Sequence, residues 1–246
     1  MRPWSRGDSR ERRRGPASER EGPAGAVMRV RAVVLDVDGT VATCPYDFEA
    51  MREAVGRAAR RWGVDAAALG VRGIIEQIAA VASRLGADGD RFRKEAEAAV
   101  VALEIEGARR SRLLPGAAEA LGRLRRRGIA VGLITRNCRM ASEIVLRDLR
   151  EYDSLLARDD VPLPKPNPDH VHRSLAALGV EAAAAVMVGD HSYDIEAGRA
   201  AGVRACVGVS TGGSQDQALL EAGADVVLAS VMQLPEWLSG LEGRRG

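Results

Sequence analysis

The chain predicts an α/β fold: a doubly wound parallel sheet with helices on both faces and an all-helical block inserted after the first strand. Three observations carry this expectation. From residue 115 onward, short apolar runs alternate with segments of helical periodicity, as strands buried on both faces require. The run Arg31 to Leu35 has the same character but stands apart from the others, separated by residues 42–114, where every apolar pattern is helical. That first run feeds into Asp36-Val37-Asp38-Gly39-Thr40, which places two carboxylates where a buried strand gives way to a turn.

Taken in order, Arg31 to Leu35 is a strand. A helix follows from Asp47, its N-cap, to Trp62, with Phe48, Met51, Val55, Ala59 and Trp62 at helical spacing and Gly63 as the stop. Ile74, Ile75, Ile78, Val81, Ala82 and Leu85 repeat the pattern up to Gly86, and a third helix runs from near Arg91 to Ala108. Pro115-Gly116 closes the helical block. Beyond it come helix Ala117 to Arg127, strand Ile129 to Ile134, helix Met140 to Leu149 and a short strand near Leu155. Helix Pro168 to Leu178, strand Ala184 to Val188, helix Ile195 to Ala201, strand Ala205 to Val209, helix Gln215 to Ala222 and strand Asp225 to Leu228 complete the alternation. There is no internal repeat.

A chain of 246 residues can bury a substantial core. No apolar stretch approaches the ~18 residues that span a bilayer, and the start lacks the apolar segment of a secretory signal, so a soluble cytoplasmic protein without a membrane partner is expected. Cys44, Cys138 and Cys206 are odd in number and lack metal-ligand spacing, which points to reduced thiols. The net charge of +2 arises in residues 1–27, where Arg outnumbers the acidic residues. That segment is rich in Arg, Gly, Pro, Ser and Glu, has little to bury, and is expected to be disordered, with Met28 a second candidate start. Asp8, Glu11, Glu19 and Glu21 are interspersed through it, which argues against a transit peptide, and the near-neutral body gives no ground for a nucleic-acid partner.

Carboxylates at a strand end suit metal or phosphate chemistry, although an Asp-Gly turn in solvent has the same composition. The downstream segments decide between the two. Thr135-Arg136-Asn137 follows Ile134, Gly189-Asp190-His191-Ser192-Tyr193-Asp194 follows Val188, and Lys165 lies in Leu163-Pro164-Lys165-Pro166-Asn167-Pro168. Lys165 and Lys94 are the only lysines in a chain that otherwise uses Arg, and a site needing a compact ammonium is not served equally by a guanidinium. The order, spacing and strand-end placement of these four motifs resemble the haloacid dehalogenase superfamily from about Met28 to the end. The helical insertion resembles that of phosphoglycolate phosphatase-like members. The resemblance implies a Rossmann-like catalytic core (28–41 and 115–246) and a helical cap (42–114).

It also implies a Mg²⁺-dependent phosphatase working through an aspartyl-phosphate on a small phosphorylated metabolite: phosphoglycolate, a sugar phosphate or a nucleoside monophosphate. Asp36 would be the nucleophile. Asp38 would protonate the departing oxygen and then activate water. The resemblance gives Mg²⁺ to Asp36, the Asp38 carbonyl and Asp190, with Asp194 in support. Lys165 would hold nucleophile and phosphate in place, and Thr135 would bind a phosphoryl oxygen. Other readings are a loop position for Lys165 and helix N-caps for Thr135 and Asp194. Arg136 and Asn137 are expected to touch substrate, while His191, His170 and His172 are expected to pack or lie at the surface.

Asp38 argues against a dehalogenase, since a halide leaves unprotonated, and against a phosphonatase, which recruits a cap lysine; Lys94 reads as a surface residue. A β-phosphoglucomutase-like mutase is the alternative, kept open by Arg72 in Leu69-Gly70-Val71-Arg72-Gly73, which would hold a carboxylate or second phosphate. Arg52 is a second cap candidate. Val41-Ala42-Thr43-Cys44 lacks the acidic residue usual in phosphoglycolate phosphatases, and Cys44-Pro45-Tyr46 is unusual, so the substrate is left open. A non-catalytic sensor of a phosphometabolite is a third reading. Nothing in the sequence speaks to oligomeric state.

Overall fold

The computed structural model describes residues 29–71 and 73–243. The segment expected to be disordered, the candidate start Met28 and the cap residue Arg72 lie outside the described residues. In chain order, β1 (Ala32–Asp36) leads into three helices, α1 (Phe48–Arg61), α2 (Ile74–Leu85) and α3 (Gly89–Arg110). The alternation follows: α4 (Ala117–Arg126), β2 (Ala130–Ile134), α5 (Arg139–Val145), β3 (Ser154–Leu156), α6 (Asp169–Leu178), β4 (Ala185–Gly189), α7 (Ser192–Ala200), β5 (Ala205–Val209), α8 (Asp216–Glu221), β6 (Val226–Leu228) and α9 (Leu234–Gly243).

All six strands pair in parallel, in the spatial order β3-β2-β1-β4-β5-β6. Strand order reverses between β1 and β4, where an open α/β sheet leaves a crevice at its carboxyl edge. Asp36 lies opposite Ile134 and Leu35 opposite Val188, so the segments leaving β1, β2 and β4 emerge side by side. Every residue of β1 is buried, as a central parallel strand requires. Val33 and Leu35 join one apolar cluster with Leu121 and Leu124 of α4, Val145 of α5 and Leu238 of α9. Ala32 and Val34 join another with Leu175 of α6, Ile195 of α7 and Leu219 of α8. The period of two along β1 thus divides its side chains between two helical layers.

The helical insertion is pinned at both ends. Ala42 bridges both Asp38 and Leu113, Leu114 N–H donates to Val41 O at 2.9 Å, and Thr43 N–H donates to Arg112 O at 2.8 Å. Asp47 caps α1 as expected, accepting from Ala50 N–H at 2.9 Å. α3 packs on α1 and α2 and also on α5, so it is covered from two sides and its buried residues spread beyond a single stripe. Among the described residues no helix is long and apolar enough to cross a membrane.

Beyond shifts of one or two residues at other ends, two boundaries and one helix differ from the sequence expectation. α5 stops at Val145, and Leu146 and Leu149 remain buried in the turn that carries the chain to β3. α7 starts at Ser192 because His191 caps it. α9 was not anticipated, although Leu234, Leu238 and Leu241 have helical spacing and Pro235 suits a first turn.

Candidate active site

Asp36, the last residue of β1, is buried, and so is Lys165. The Lys165 ammonium donates to Asp36 Oδ1 and, at 2.5 Å, to Asp194 Oδ1. Asp190 follows β4 directly; its Oδ2 accepts from Gly213 N–H at 3.0 Å and its Oδ1 from Thr40 Oγ1 at 3.4 Å. Asp194 lies in the first turn of α7, where its Oδ2 accepts from His191 N–H at 3.0 Å. His191 Nδ1 accepts from Tyr193 N–H in return, so His191 is the N-cap and Asp194 completes the capping box while it pairs with Lys165. Two glycines let the loops close on Asp190. A Cβ on Gly39, whose φ is +88°, would stand 2.5 Å from Asp190 Oδ2, and one on Gly212 would overlap the same carboxylate.

Oxygens of Asp36, Asp190 and Asp194 lie within 4.8 Å of one another, and all three residues are buried. Burial, reinforced by Asp194, Asp190 and Asp38, pushes the Asp36 carboxyl well above its usual pKa, against the pull of Lys165. Burial and Asp194 raise Asp190 likewise. Burial works against the Lys165 charge, but Asp194 and Asp36 outweigh it and hold the ammonium pKa above its ordinary value. Three carboxylates facing one ammonium leave surplus negative charge on hard oxygen donors, a set that fits Mg²⁺.

Asp38 is separately held. Its Oδ2 accepts from Thr135 Oγ1 at 2.8 Å and from Asn137 Nδ2 at 2.9 Å. Burial lifts its carboxyl to about 6, opposed by Thr135, Tyr46 and Lys165. Thr135 does not cap α5; Cys138 does, and Thr135 Oγ1 also accepts from Asn137 N–H at 3.1 Å.

These groups open into a cavity of about 790 Å³ whose far wall comes from the helical insertion, chiefly Phe48, Met51, Ile74, Ile75 and Val100. Arg52 lies at its exposed rim on α1. Arg136 lines the cavity but is tied to α2: its Nη2 donates to both Glu76 oxygens, at 2.6 and 2.9 Å, and its guanidinium lies 4.7 Å from the Tyr193 ring centroid. The Asn137 amide is turned to Asp38. Lys94 is exposed and outside the cavity lining, as expected.

Several residues escaped sequence reasoning. Glu104 of α3, which on a helix reads as a solvated charge, is buried and paired with Arg158. Arg158 Nη1 also donates to Arg136 O at 2.9 Å, bracing the Thr135 loop. His170 packs, one of the two outcomes expected for it, but its contacts were not legible: it is fully buried, with Nε2 at 3.0 Å from Leu156 O and Nδ1 accepting from Lys165 N–H at 3.4 Å. Thr211-Gly212-Gly213 carried a usable signal, a glycine pair just after the apolar run of β5.

The comparisons with known proteins point to the same family as the sequence motifs. A family model described as haloacid dehalogenase-like hydrolase matches residues 30–202. The chain is 30% identical over 223 residues to the plasmid phosphoglycolate phosphatase of Cupriavidus necator, covering 85% of this chain and 93% of that protein. It is 29% identical over 184 residues to the N-acetylmuramic acid 6-phosphate phosphatase of Pseudomonas putida, covering 72% of this chain and 82% of that one. Among solved structures, CbbY from Rhodobacter sphaeroides in complex with phosphate superposes with a TM-score of 0.58 at 26% identity, over 83% of this chain and 96% of that chain. With its parallel sheet, its carboxylates at the strand ends and a family match over most of its length, the chain belongs to the haloacid dehalogenase-like hydrolases.

Proposed function

We propose that the protein is a Mg²⁺-dependent phosphatase that hydrolyses a small phosphomonoester through an aspartyl-phosphate on Asp36, with residues 42–114 serving as a cap over the core. The observation that carries this is the buried contact of Lys165 with Asp36 and Asp194 beside Asp190, at the edge where the strand order reverses. Phosphatase names among the relatives support it.

The Asp36 carboxylate attacks phosphorus while Lys165 fixes the carboxylate and offsets phosphoryl charge. As the ester P–O bond breaks, the leaving oxygen takes a proton from Asp38, which then accepts one from water attacking the aspartyl-phosphate; Asp36 and phosphate are released. Asp38 must be an acid in one half of the cycle and a base in the other, which a carboxyl near 6 can do close to neutral pH. Thr135 and Asn137 hold its Oδ2 and thereby orient the other oxygen. Mg²⁺ held by Asp36, the Asp38 carbonyl and Asp190, with Asp194 in support, would neutralise carboxylate and phosphoryl charge. The apolar far wall excludes water and suits small metabolites over polymers.

The test is phosphate release from phosphoglycolate, hexose phosphates, N-acetylmuramic acid 6-phosphate and nucleoside monophosphates, with Mg²⁺ or chelator, for wild type and Asp36→Asn. Metal-dependent turnover lost in Asp36→Asn is expected. Turnover that persists in folded Asp36→Asn would end the aspartyl-phosphate mechanism.

A further inference from the structure

The cavity of about 790 Å³ is larger than a two-carbon phosphoester fills; it lies within the roughly 300–1,000 Å³ of sites that bury drug-sized ligands. Its wall beyond the phosphoryl end is apolar surface that the fold itself does not cover. Phe48 and Ile75 line it but join neither apolar cluster among the described residues, and Phe48 is 46% exposed. Three of the chain's five Phe and Tyr residues, Tyr46, Phe48 and Tyr193, lie along this one cavity. The cations of the lining are taken up by the protein's own carboxylates. Lys165 faces Asp36 and Asp194, Arg136 Nη2 reaches both Glu76 oxygens, and Arg158 reaches both Glu104 oxygens. Gly73, the N-cap of α2, makes the Glu76 contact possible: the Glu76 carboxylate lies against it, where any Cβ would collide. Among the described Lys and Arg side chains of the lining, Arg52 alone has no acidic partner, and it stands at the exposed rim, where solvent screens it.

We propose that the substrate is the phosphomonoester of an uncharged alcohol with a bulky apolar body, and that Glu76 sets this specificity by neutralising Arg136 of the cavity wall. This deepens the phosphatase reading and rests on it. A second anionic group on the substrate, such as the carboxylate of phosphoglycolate or the second phosphate of a bisphosphate, would enter a space whose described arginines already have partners. It would give up water without gaining a counter-charge. An apolar body gains from the same wall, because covering Phe48, Met51, Ile74, Ile75 and Val100 releases the water on them. Arg136 follows Thr135 directly, which sets it beside the phosphoryl end. Released from Glu76, its guanidinium would be a partner for a substrate carboxylate.

The experiment measures kcat/KM, with Mg²⁺, on two pairs of esters whose members differ in charge: benzyl phosphate against 4-carboxybenzyl phosphate, and 2-hydroxyethyl phosphate against phosphoglycolate. In wild type each neutral ester should exceed its carboxylate by roughly 10-fold or more, and benzyl phosphate should exceed 2-hydroxyethyl phosphate by a similar factor. Glu76→Gln keeps an acceptor for Arg136 and removes only the charge, so the carboxylate-to-neutral ratio should rise at least about fivefold in one pair or both. Arg136→Gln, which leaves the Glu76 charge unpaired, should lower that ratio. A purely structural fault would depress both members of a pair alike and leave the ratio where it was. Wild type that favours either carboxylate, or 2-hydroxyethyl over benzyl phosphate, overturns the substrate class; a carboxylate preference lost in Arg72→Ala would give the anion to Arg72 instead. Ratios unchanged in both variants overturn the role of Glu76. Wild type that releases phosphate from none of these esters, nor from any of the earlier panel, brings down the phosphatase reading, and this one with it.

Discussion

Arg158→Met should destabilise the protein sharply, and adding Glu104→Leu should restore most of the loss. Arg158, just after β3, contacts both carboxylate oxygens of Glu104 on α3, with Nη2 to Oε2 at 3.2 Å. The side chains are 14% and 3% exposed, so solvent screens the pair little. Unit charges about 4 Å apart at an effective dielectric near 20 attract by about 4 kcal/mol, a gain that desolvation of both ions largely cancels. Removing one partner leaves the other charge buried, which costs about 3–5 kcal/mol. Among the described residues Glu104 would retain only the Cys138 N–H, at 3.1 Å, so the lower end, about 3 kcal/mol, is expected for Arg158→Met. The double variant, with no buried charge, should lie within about 1 kcal/mol of wild type. Urea unfolding with unchanged m reads the free energies, and a thermal scan should place the single variant roughly 6–12 °C below wild type. A double variant as unstable as Arg158→Met, or a single variant costing under about 1 kcal/mol, would refute the reasoning.

Three further outcomes are expected. Burial, with Lys165 nearby, holds the His170 imidazole down to about 4, so its contribution to stability is complete above the ordinary value near 6.5 and is lost as pH falls toward 4. Wild type should therefore lose about 3 kcal/mol more than His170→Gln between pH 7 and pH 4, and a flat difference in urea stability between the two would disprove it. Mg²⁺ at about 100 times its dissociation constant should stabilise wild type by about 2.7 kcal/mol, a rise of roughly 5–10 °C that chelator reverses. In Asp190→Asn less than half of that shift should survive; an undiminished shift would place the metal elsewhere. Gly212→Ala, whose Cβ collides with Asp190, should cost about 1–3 kcal/mol and abolish the Mg²⁺ shift, and calorimetry showing a wild-type profile would contradict that packing.

Periodicity alone determined the architecture. Each core strand is buried on both faces and therefore spells an apolar run, and the helices between them carry stripes that meet one layer only, so β1 through β6 and α1 through α8 were legible from local pattern. Asp36, Asp38, Lys165, Asp190 and Asp194 were legible because residues of distinctive type stood at strand ends in a familiar order. What local pattern could not contain is which distant groups meet. Glu104 and Arg158, 54 positions apart, look like surface charges until α3 is laid against α5 and the chain beyond β3. Arg136 reads as a free cation until α2 brings Glu76 to it. The contact of His170 with the Lys165 N–H depends on backbone paths set by the closing of the whole fold. Charge and burial are properties of the assembled interior, and only the tertiary structure decides them.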